Sequence, residues 1–366
     1  MKMDTDFHMA KGEGETGYIN NSRFQRKALF ETKRVLQKAV TGLCSVVQPP
    51  PGNLVVADLG CSSGENTLIF VSEVINAIRG YPLEVQFFLN DLPGNDFNYI
   101  FRSLENFKKS RSTKEEHRHR FTFLGCQGPT TPGFSLPKAF ICFTHPIVST
   151  GTLRYLPPHG LDVNSKTYLN KGNIYIAKTT PLSVVKLYQD QFQMDLLLFL
   201  RLRYEELVLG GNMVLTFLGR KNEDVYGGDL NHLSGLLAQS ILCLVHKGLV
   251  QEEKLDAFNL PFYGPSVDEV KAVVRESELF DINSVKLFES NWDPYDDSEG
   301  HSIQHSIQSG ENVAKSIRAV VEPLFASHFG GSVLDELFKE YARNITRHLE
   351  SEKTMYSVIV LSLQRR

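Results

Sequence analysis

The run Asp58-Leu59-Gly60-Cys61-Ser62-Ser63-Gly64 sets a carboxylate at the end of an apolar stretch, Leu54-Val55-Val56-Ala57. Two glycines then bracket a tight turn, where backbone amides can approach a ligand closely. A second apolar stretch, Leu83 to Leu89, ends in Asn90-Asp91-Leu92-Pro93. A strand end that receives a ligand, followed by a second that carries an acid, is how a doubly wound α/β domain grips a ribose diol. The turn lacks the full Gly-x-Gly-x-x-Gly pattern, which argues against a dinucleotide and for a nucleoside without a pyrophosphate. An ordinary turn between a strand and a helix is the plainer reading of the same residues.

The elements around these acids follow from periodicity. Helical spacing covers 23–47, with Leu29, Leu36, Val40, Leu43 and Val47 on one face, and Pro49-Pro50-Pro51-Gly52 ends it. The pattern then predicts strand 54–58, helix 66–78, strand 83–89 and helix 95–107. Residues 108–119 are a charge run and read as a solvated loop. Further on come a short strand 174–177, a long helix 183–208 capped by Gly210-Gly211, and strand 212–218. Helices at 230–247, 266–277, 311–325 and 332–349 precede a last strand, 355–363. Strands alternating with helices imply a mostly parallel sheet. The expected division is an α/β core from 1–229 and 351–366, with 230–350 as a mainly helical cap over the strand ends.

Composition narrows the function classes. The chain has 366 residues and a formal net charge of −3, which does not suggest a nucleic-acid partner. The first residues carry Lys2, Asp4, Asp6 and His8 with no apolar h-region, and no stretch reaches the ~20 apolar residues of a membrane helix. The five cysteines, Cys44, Cys61, Cys126, Cys142 and Cys243, lack Cys-x-x-Cys spacing, so neither a disulfide framework nor a structural zinc site is indicated. A cytoplasmic location is expected. His8, His145, His159, His232 and His246 form no constellation with a nucleophile.

Other motifs carry a resemblance. His8-Met9, Gly14-Glu15, Tyr18, Asn20-Asn21-Ser22 and Gln25 are similar to the opening of the plant SABATH methyltransferases. So are Ala57 to Gly64, Asn90 to Asn98, Asn170-Lys171-Gly172, Phe217-Leu218-Gly219-Arg220, Glu253 to Asn259 and Arg318 to Pro323. The salicylate and benzoate carboxyl methyltransferases are the nearest branch that these motifs allow to be named. The resemblance implies an α/β fold, a Rossmann-like methyltransferase sheet with a mostly α-helical cap, usually as a homodimer. It implies that Tyr18, Ser22, Cys61, Asn66, Asp91 and Leu92 contact S-adenosylmethionine, with Asp58 at the end of the first strand. Gln25 would bond the acceptor carboxylate, and Leu233, Ser234, Ile317 and Phe338 would line the acceptor pocket. Some relatives bind magnesium near residues matching Asn170, Asp256, Phe258 and Asn259. A solvated turn is the alternative for that loop. N-methylation of a xanthine-like base, a non-catalytic binding paralogue and a nicotinamide-dependent dehydrogenase are the competing functions.

The implied chemistry needs little from the protein. A carboxylic acid has a pKa of about 4, so it is already an anionic nucleophile near neutral pH. Alignment of donor and acceptor can lower the barrier by roughly 7 to 11 kcal/mol. One stretch departs from the resemblance. Between Gly125 and Leu153 the family pattern Val-Pro-Gly-Ser, then Arg-Leu-Phe-Pro, then Ser-Tyr-Ser-Leu-His-Trp is missing. Shifting the codon frame of residues 126–151 by one base can recover all three, which points to a short double frameshift in the gene or its model. In the literal chain, Gly151 replaces the family's carboxylate-binding Trp, Ile147 an aromatic, and Pro129 and Thr130 the Ser-aromatic pair against adenine. Pro129, Pro132, Pro137 and Pro146 would also interrupt sheet. Weak or absent activity is the expectation.

Overall fold

The computed structural model of the chain describes residues 9–10, 14–46, 53–81, 83–92, 94–110, 121–127, 139–144, 168–297, 306–352 and 354–366. Two short steps, helix α1 (Tyr18–Asn21) and the long α2 (Arg23–Val46), lead into the sheet. The first parallel units are β1 (Asn53–Leu59), α3 (Glu65–Ala77), β2 (Glu84–Asp91), α4 (Phe97–Ser110) and β3 (Phe121–Gln127). Strand β4 (Ala139–Thr144), helix α5 (Leu182–Glu206) and β5 (Leu207–Gly219) follow. The chain then runs through α6 (Asp229–His246), α7 (Glu252–Asp256), α8 (Val267–Ser277) and β6 (Phe280–Asn291). Helices α9 (Ser306–Phe329) and α10 (Leu334–Leu349) precede β7 (Met355–Arg365).

The strands form one seven-stranded sheet in the order β3-β2-β1-β4-β5-β7-β6. Pairings among β1 to β5 are parallel, and β7 runs antiparallel between β5 and β6. Order reverses between β1 and β4, so the crevice of the switch point opens at the carboxyl end of β1, next to the tip of β2. Both faces are covered. Leu54 and Val56 face a core with α2, α3 and α4, whereas Val55, Ala57 and Leu59 face the core that contains α5, α6, α8, α9 and α10. Burial on both sides explains the near-continuous apolar runs of the central strands.

The sheet departs from the sequence reading at several places. Ile174–Ala177 is buried but is not a strand. Leu260 N–H donates to the Ile174 carbonyl at 2.7 Å, Asn170 Nδ2 to that of Tyr175 at 3.1 Å and Asn231 Nδ2 to that of Ile176 at 2.8 Å, so loop and side-chain donors occupy the positions of a strand partner. Gly210-Gly211 do not cap α5. That helix passes directly into β5 at Leu207, and Gly210, at φ +73°, lies where the β4–β5 register shifts. The prolines of the divergent stretch do not remove the sheet there: Ala139–Thr144 is proline-free and apolar, and it takes the central β4 position between β1 and β5. Strands β3 and β6 lie at the two edges. β6 falls within the segment expected as helical cap, and its polar alternation hid it.

Helices α9 and α10 cross closely at Gly310, where an added Cβ would sit 2.6 Å from the Ala342 carbonyl oxygen. Overpacking of this kind costs roughly 1 to 3 kcal/mol. Gly310→Ala is therefore expected to lower the urea midpoint by that amount of stability. An unchanged midpoint would show that the crossing yields freely.

Candidate active site

The crevice is built from backbone held by two acids. Gly60 adopts φ +76° and Ser62 φ +53°, a left-handed conformation that costs a non-glycine residue about 1 to 3 kcal/mol. Bonds from several sides hold it. Gly60 and Cys61 donate their N–H groups to the Asn90 carbonyl at 2.8 and 3.0 Å. Ser62 N–H donates to Asp91 Oδ2 at 2.5 Å, and Asn95 Nδ2 donates to the Ser62 carbonyl at 2.9 Å. Asp91 Oδ1 accepts from Leu92 N–H at 2.7 Å, so one carboxylate ties the tips of β1 and β2 together. Asp58 is fully buried, and the Thr67 hydroxyl lies 3.1 Å from its Oδ2 and 2.6 Å from the Cys61 carbonyl. Asp58 thus braces the turn from beneath, and Asp91 is the acid at the mouth. Burial, then the Asp91 and Asp58 carboxylates, push the Cys61 thiol well above its ordinary value, so it is a neutral wall and not a nucleophile.

Polar atoms on α2 and α3 converge on this turn. Ser22 and Gln25 begin α2 one helical turn apart, and Asn66 begins α3. Asn66 Nδ2 donates to the Ser22 carbonyl at 3.3 Å, and a Cβ on Gly64 would meet Ser22 Oγ at 3.7 Å. Ser22 Oγ, Gln25 Oε1 and Asn66 Oδ1 are buried with no partner among the described residues. Leaving such atoms unsatisfied costs about 1 to 3 kcal/mol each. Their gathering fits a polar ligand that supplies the bonds. Helix α3 begins after Gly64 without a side-chain cap, which leaves its first amides available to a negative group. Tyr18 is buried in α1, whose N–H donates to Ala10.

Beside it lies a cavity of about 70 Å³. Gln25, Leu233, Ser234 and Ile317 all line it, with Phe24, Leu218, Ser316, Val320, Tyr341 and Tyr356. Tyr341 donates to the Leu233 carbonyl at 3.2 Å, fixing α10 to α6. Phe24 packs on Tyr356 with ring centroids 4.3 Å apart. Phe338 is the exception. It is buried between Phe325 and Tyr341 with the Arg318 guanidinium 5.4 Å from its ring centre, and it borders a different groove between α9 and α10. Gly151 and Ile147 lie outside the described residues, as do Pro129 and Thr130.

The residues implied for a metal do come together, but as a closed loop. Asn170 Nδ2 donates to Asn259 Oδ1 at 3.1 Å, and Asn170 Oδ1 accepts from the Thr180 hydroxyl at 2.8 Å. Asp256 Oδ1 accepts from Gly172 N–H at 2.9 Å. Phe258 packs on Phe325 and Phe329 at 4.9 and 5.0 Å between ring centroids. One carboxylate among engaged amides is a poor fit to a hard cation, which takes six or more oxygens. No cluster of three or more His, Cys, Asp or Glu suited to a metal occurs among the described residues.

Comparison with known proteins decides the family. Residues 4–366 match the model of SAM dependent carboxyl methyltransferases. The chain belongs to that family. It is 51% identical to anthranilate O-methyltransferase 1 of Zea mays, and the match covers 100% of this chain and 98% of that protein. It is also 51% identical to inactive anthranilate O-methyltransferase 1 of Zea mays, with the same coverage. Among solved structures, a loganic acid methyltransferase with SAH superposes at a TM-score of 0.83, with 28% identity over 98% of this chain and 99% of that one. This carboxyl methyltransferase therefore uses S-adenosylmethionine on a Rossmann-like sheet.

Several residues of the site escaped the sequence reading. Thr67, Asn90 and Asn95 shape the turn, and their signal lay in the same two motifs as Asp58 and Asp91. Ser316, Tyr341 and Tyr356 reach the cavity from α9, α10 and β7, and only the tertiary fold reveals them. Because Asp91 is charged and holds both strand tips, Asp91→Ala is expected to weaken S-adenosylhomocysteine about tenfold or more. Ser22→Ala removes one neutral bond and should cost only several-fold. Calorimetry on the two variants checks this order, and a reversed order would contradict the assigned roles.

Proposed function

We propose that this carboxyl methyltransferase forms the methyl ester of a small, single-ring aromatic acid, with anthranilate, benzoate and salicylate as the candidates. The observation that supports it best is the cavity beside the turn: small, apolar, and carrying the buried Gln25 amide at one wall. An apolar cavity of roughly 150 Å³ holds one benzene ring. At about 70 Å³, this one is less than half that size and must roughly double in volume to take one ring, which favours small acceptors. The 51% identity to an anthranilate O-methyltransferase supports the same acid class.

The protein's part is placement. S-adenosylmethionine, when bound, supplies a methyl carbon activated by the sulfonium charge. Asp91 and the backbone at Gly60 to Ser62 would hold its nucleoside. The unpartnered Ser22 Oγ and Asn66 Oδ1, with the first amides of α3, would hold its polar end. Gln25 lies one helical turn beyond Ser22, so its amide can orient an acceptor carboxylate toward the same point. Leu233, Ile317 and Val320 keep water away, which leaves the carboxylate oxygen poorly solvated and reactive. No base is needed, because the acceptor is ionised at neutral pH. His328 fits no catalytic role: its ring nitrogen bonds the Lys254 carbonyl at 2.8 Å, and burial lowers its pKa. Magnesium takes no part in this scheme. A homodimer with a cytoplasmic location completes the proposal, with a core of 1–229 and 351–366 to which β6 adds an edge strand, and the helices of 230–350 as the cap; sedimentation velocity tests the dimer.

A second reading concerns strength of activity. Residues 126–151 lack the family's Trp and ring-stacking aromatic, and one relative at 51% identity is named inactive. We infer weak turnover for the literal chain. Replacing 126–151 with its frame-shifted translation should raise methyl ester formation at least tenfold, as a lost bond to a charged group costs about 1.5 to 3 kcal/mol. Equal turnover of the two proteins would remove this inference. In the more active protein, Gln25→Ala should weaken the aromatic acid by about the same factor without affecting S-adenosylhomocysteine. If mass spectrometry finds no methyl ester from any aromatic acid with the replaced segment, the acceptor class is wrong.

A further inference from the structure

Ser316 is the least explained polar group at the cavity. It sits in α9 and is buried to 8% exposure, yet its side chain borders the space beside Ile317 and Val320. A buried hydroxyl inside a helix ordinarily bonds a carbonyl of the preceding turn. Thr32 does so to Leu29 at 2.7 Å, and Ser240 to Leu236 at 2.7 Å. No such bond of the Ser316 hydroxyl is seen among the described residues, and it is not one of the fully enclosed unpartnered atoms, so it meets the open space of the cavity. Ser234 on α6 shares that state at the opposite wall. The rest of the lining is apolar apart from Gln25 and two tyrosines.

A cavity for a plain hydrocarbon ring has no use for a hydroxyl on α9. Alanine would fill the same place with an apolar methyl group, whereas serine keeps a hydrogen-bonding group at the cavity surface. We propose that Ser316 is a specificity residue: its hydroxyl reads a hydrogen-bonding substituent on the acceptor ring, an amino or hydroxyl group. The hydroxyl serves as donor and acceptor, so it pairs with either. This rests on the aromatic acid reading above and narrows it to substituted acids. A site that bonds a substrate hydroxyl or amine disfavours the analogue lacking it, because its own polar group is then left unpaired.

Calorimetry on the full chain saturated with S-adenosylhomocysteine tests this with benzoate, 2-hydroxybenzoate and 2-aminobenzoate. The wild type should bind at least one substituted acid about five- to tenfold more tightly than benzoate, the range of one hydrogen bond. Ser316→Ala should bring that ratio close to one, and Ser316→Thr, which keeps the hydroxyl, should retain most of it. A ratio unchanged in Ser316→Ala overturns the proposal, as does an equal loss for all three acids, the mark of a merely structural role. Benzoate binding without preference in the wild type overturns the role of Ser316 alone. No acid binding, with S-adenosylhomocysteine still bound, overturns the acceptor reading as well.

Discussion

One carboxylate holds the site together. Asp91 accepts Ser62 N–H at 2.5 Å with one oxygen and Leu92 N–H at 2.7 Å with the other. Bonds to a charged acceptor are the strong ones. These two fix the tips of adjacent parallel strands and stabilise the left-handed Ser62 that gives the turn its shape. Beneath them Asp58 and Thr67 make the floor, and Asn90 and Asn95 close the side. A nucleoside can be gripped here because the strand order reverses on the other side of β1, between β1 and β4, and leaves a crevice at its carboxyl end.

The second half of the site depends on a different kind of interaction. The cavity wall comes from α2, α6, α9, α10 and β7, which are far apart in sequence and meet through apolar packing. Its polar content is sparse: Gln25 on α2, Ser234 on α6, Ser316 on α9 and two tyrosines, Tyr341 and Tyr356; Ser22, just before α2, lies at the turn, and Gln25 borders the cavity one helical turn later. In the proposed scheme, a single helix with the residue before it would set the distance between the two ligands. That spacing is what methyl transfer to an already charged acceptor requires, since positioning supplies most of the acceleration.

Much of this was legible in the sequence, for reasons that differ by element. Asp58 to Gly64 and Asn90 to Asp91 are local signals: an apolar run, an acid and a turn, each within a few residues. Helix spans were readable because their periodicity is local too. Strands β3, β4 and β6 were not: β6 carries polar residues that break the apolar run, and β3 and β4 are short apolar runs beside or within the divergent stretch. The Ile174–Ala177 stretch misled for the opposite reason: it is apolar and buried, but its carbonyls are satisfied by Leu260, Asn170 and Asn231 instead of a strand. Phe338 was placed in the pocket by resemblance alone, and the packing of Phe325 and Tyr341 around it takes it elsewhere. The divergent stretch shows how tolerant a central strand is. Five apolar residues and a threonine between prolines suffice for β4, even where the side chains of the family pattern are gone.

A crystal structure with S-adenosylhomocysteine and an aromatic acid bound together tests the central claim most directly. The account predicts ribose density at Asp91, the nucleoside against the Gly60 to Ser62 turn, and the acid in the α6–α9 cavity with its carboxylate at Gln25, facing the cofactor sulfur. Density for the nucleoside away from the β1 and β2 tips, or for the acid outside that cavity, would contradict it.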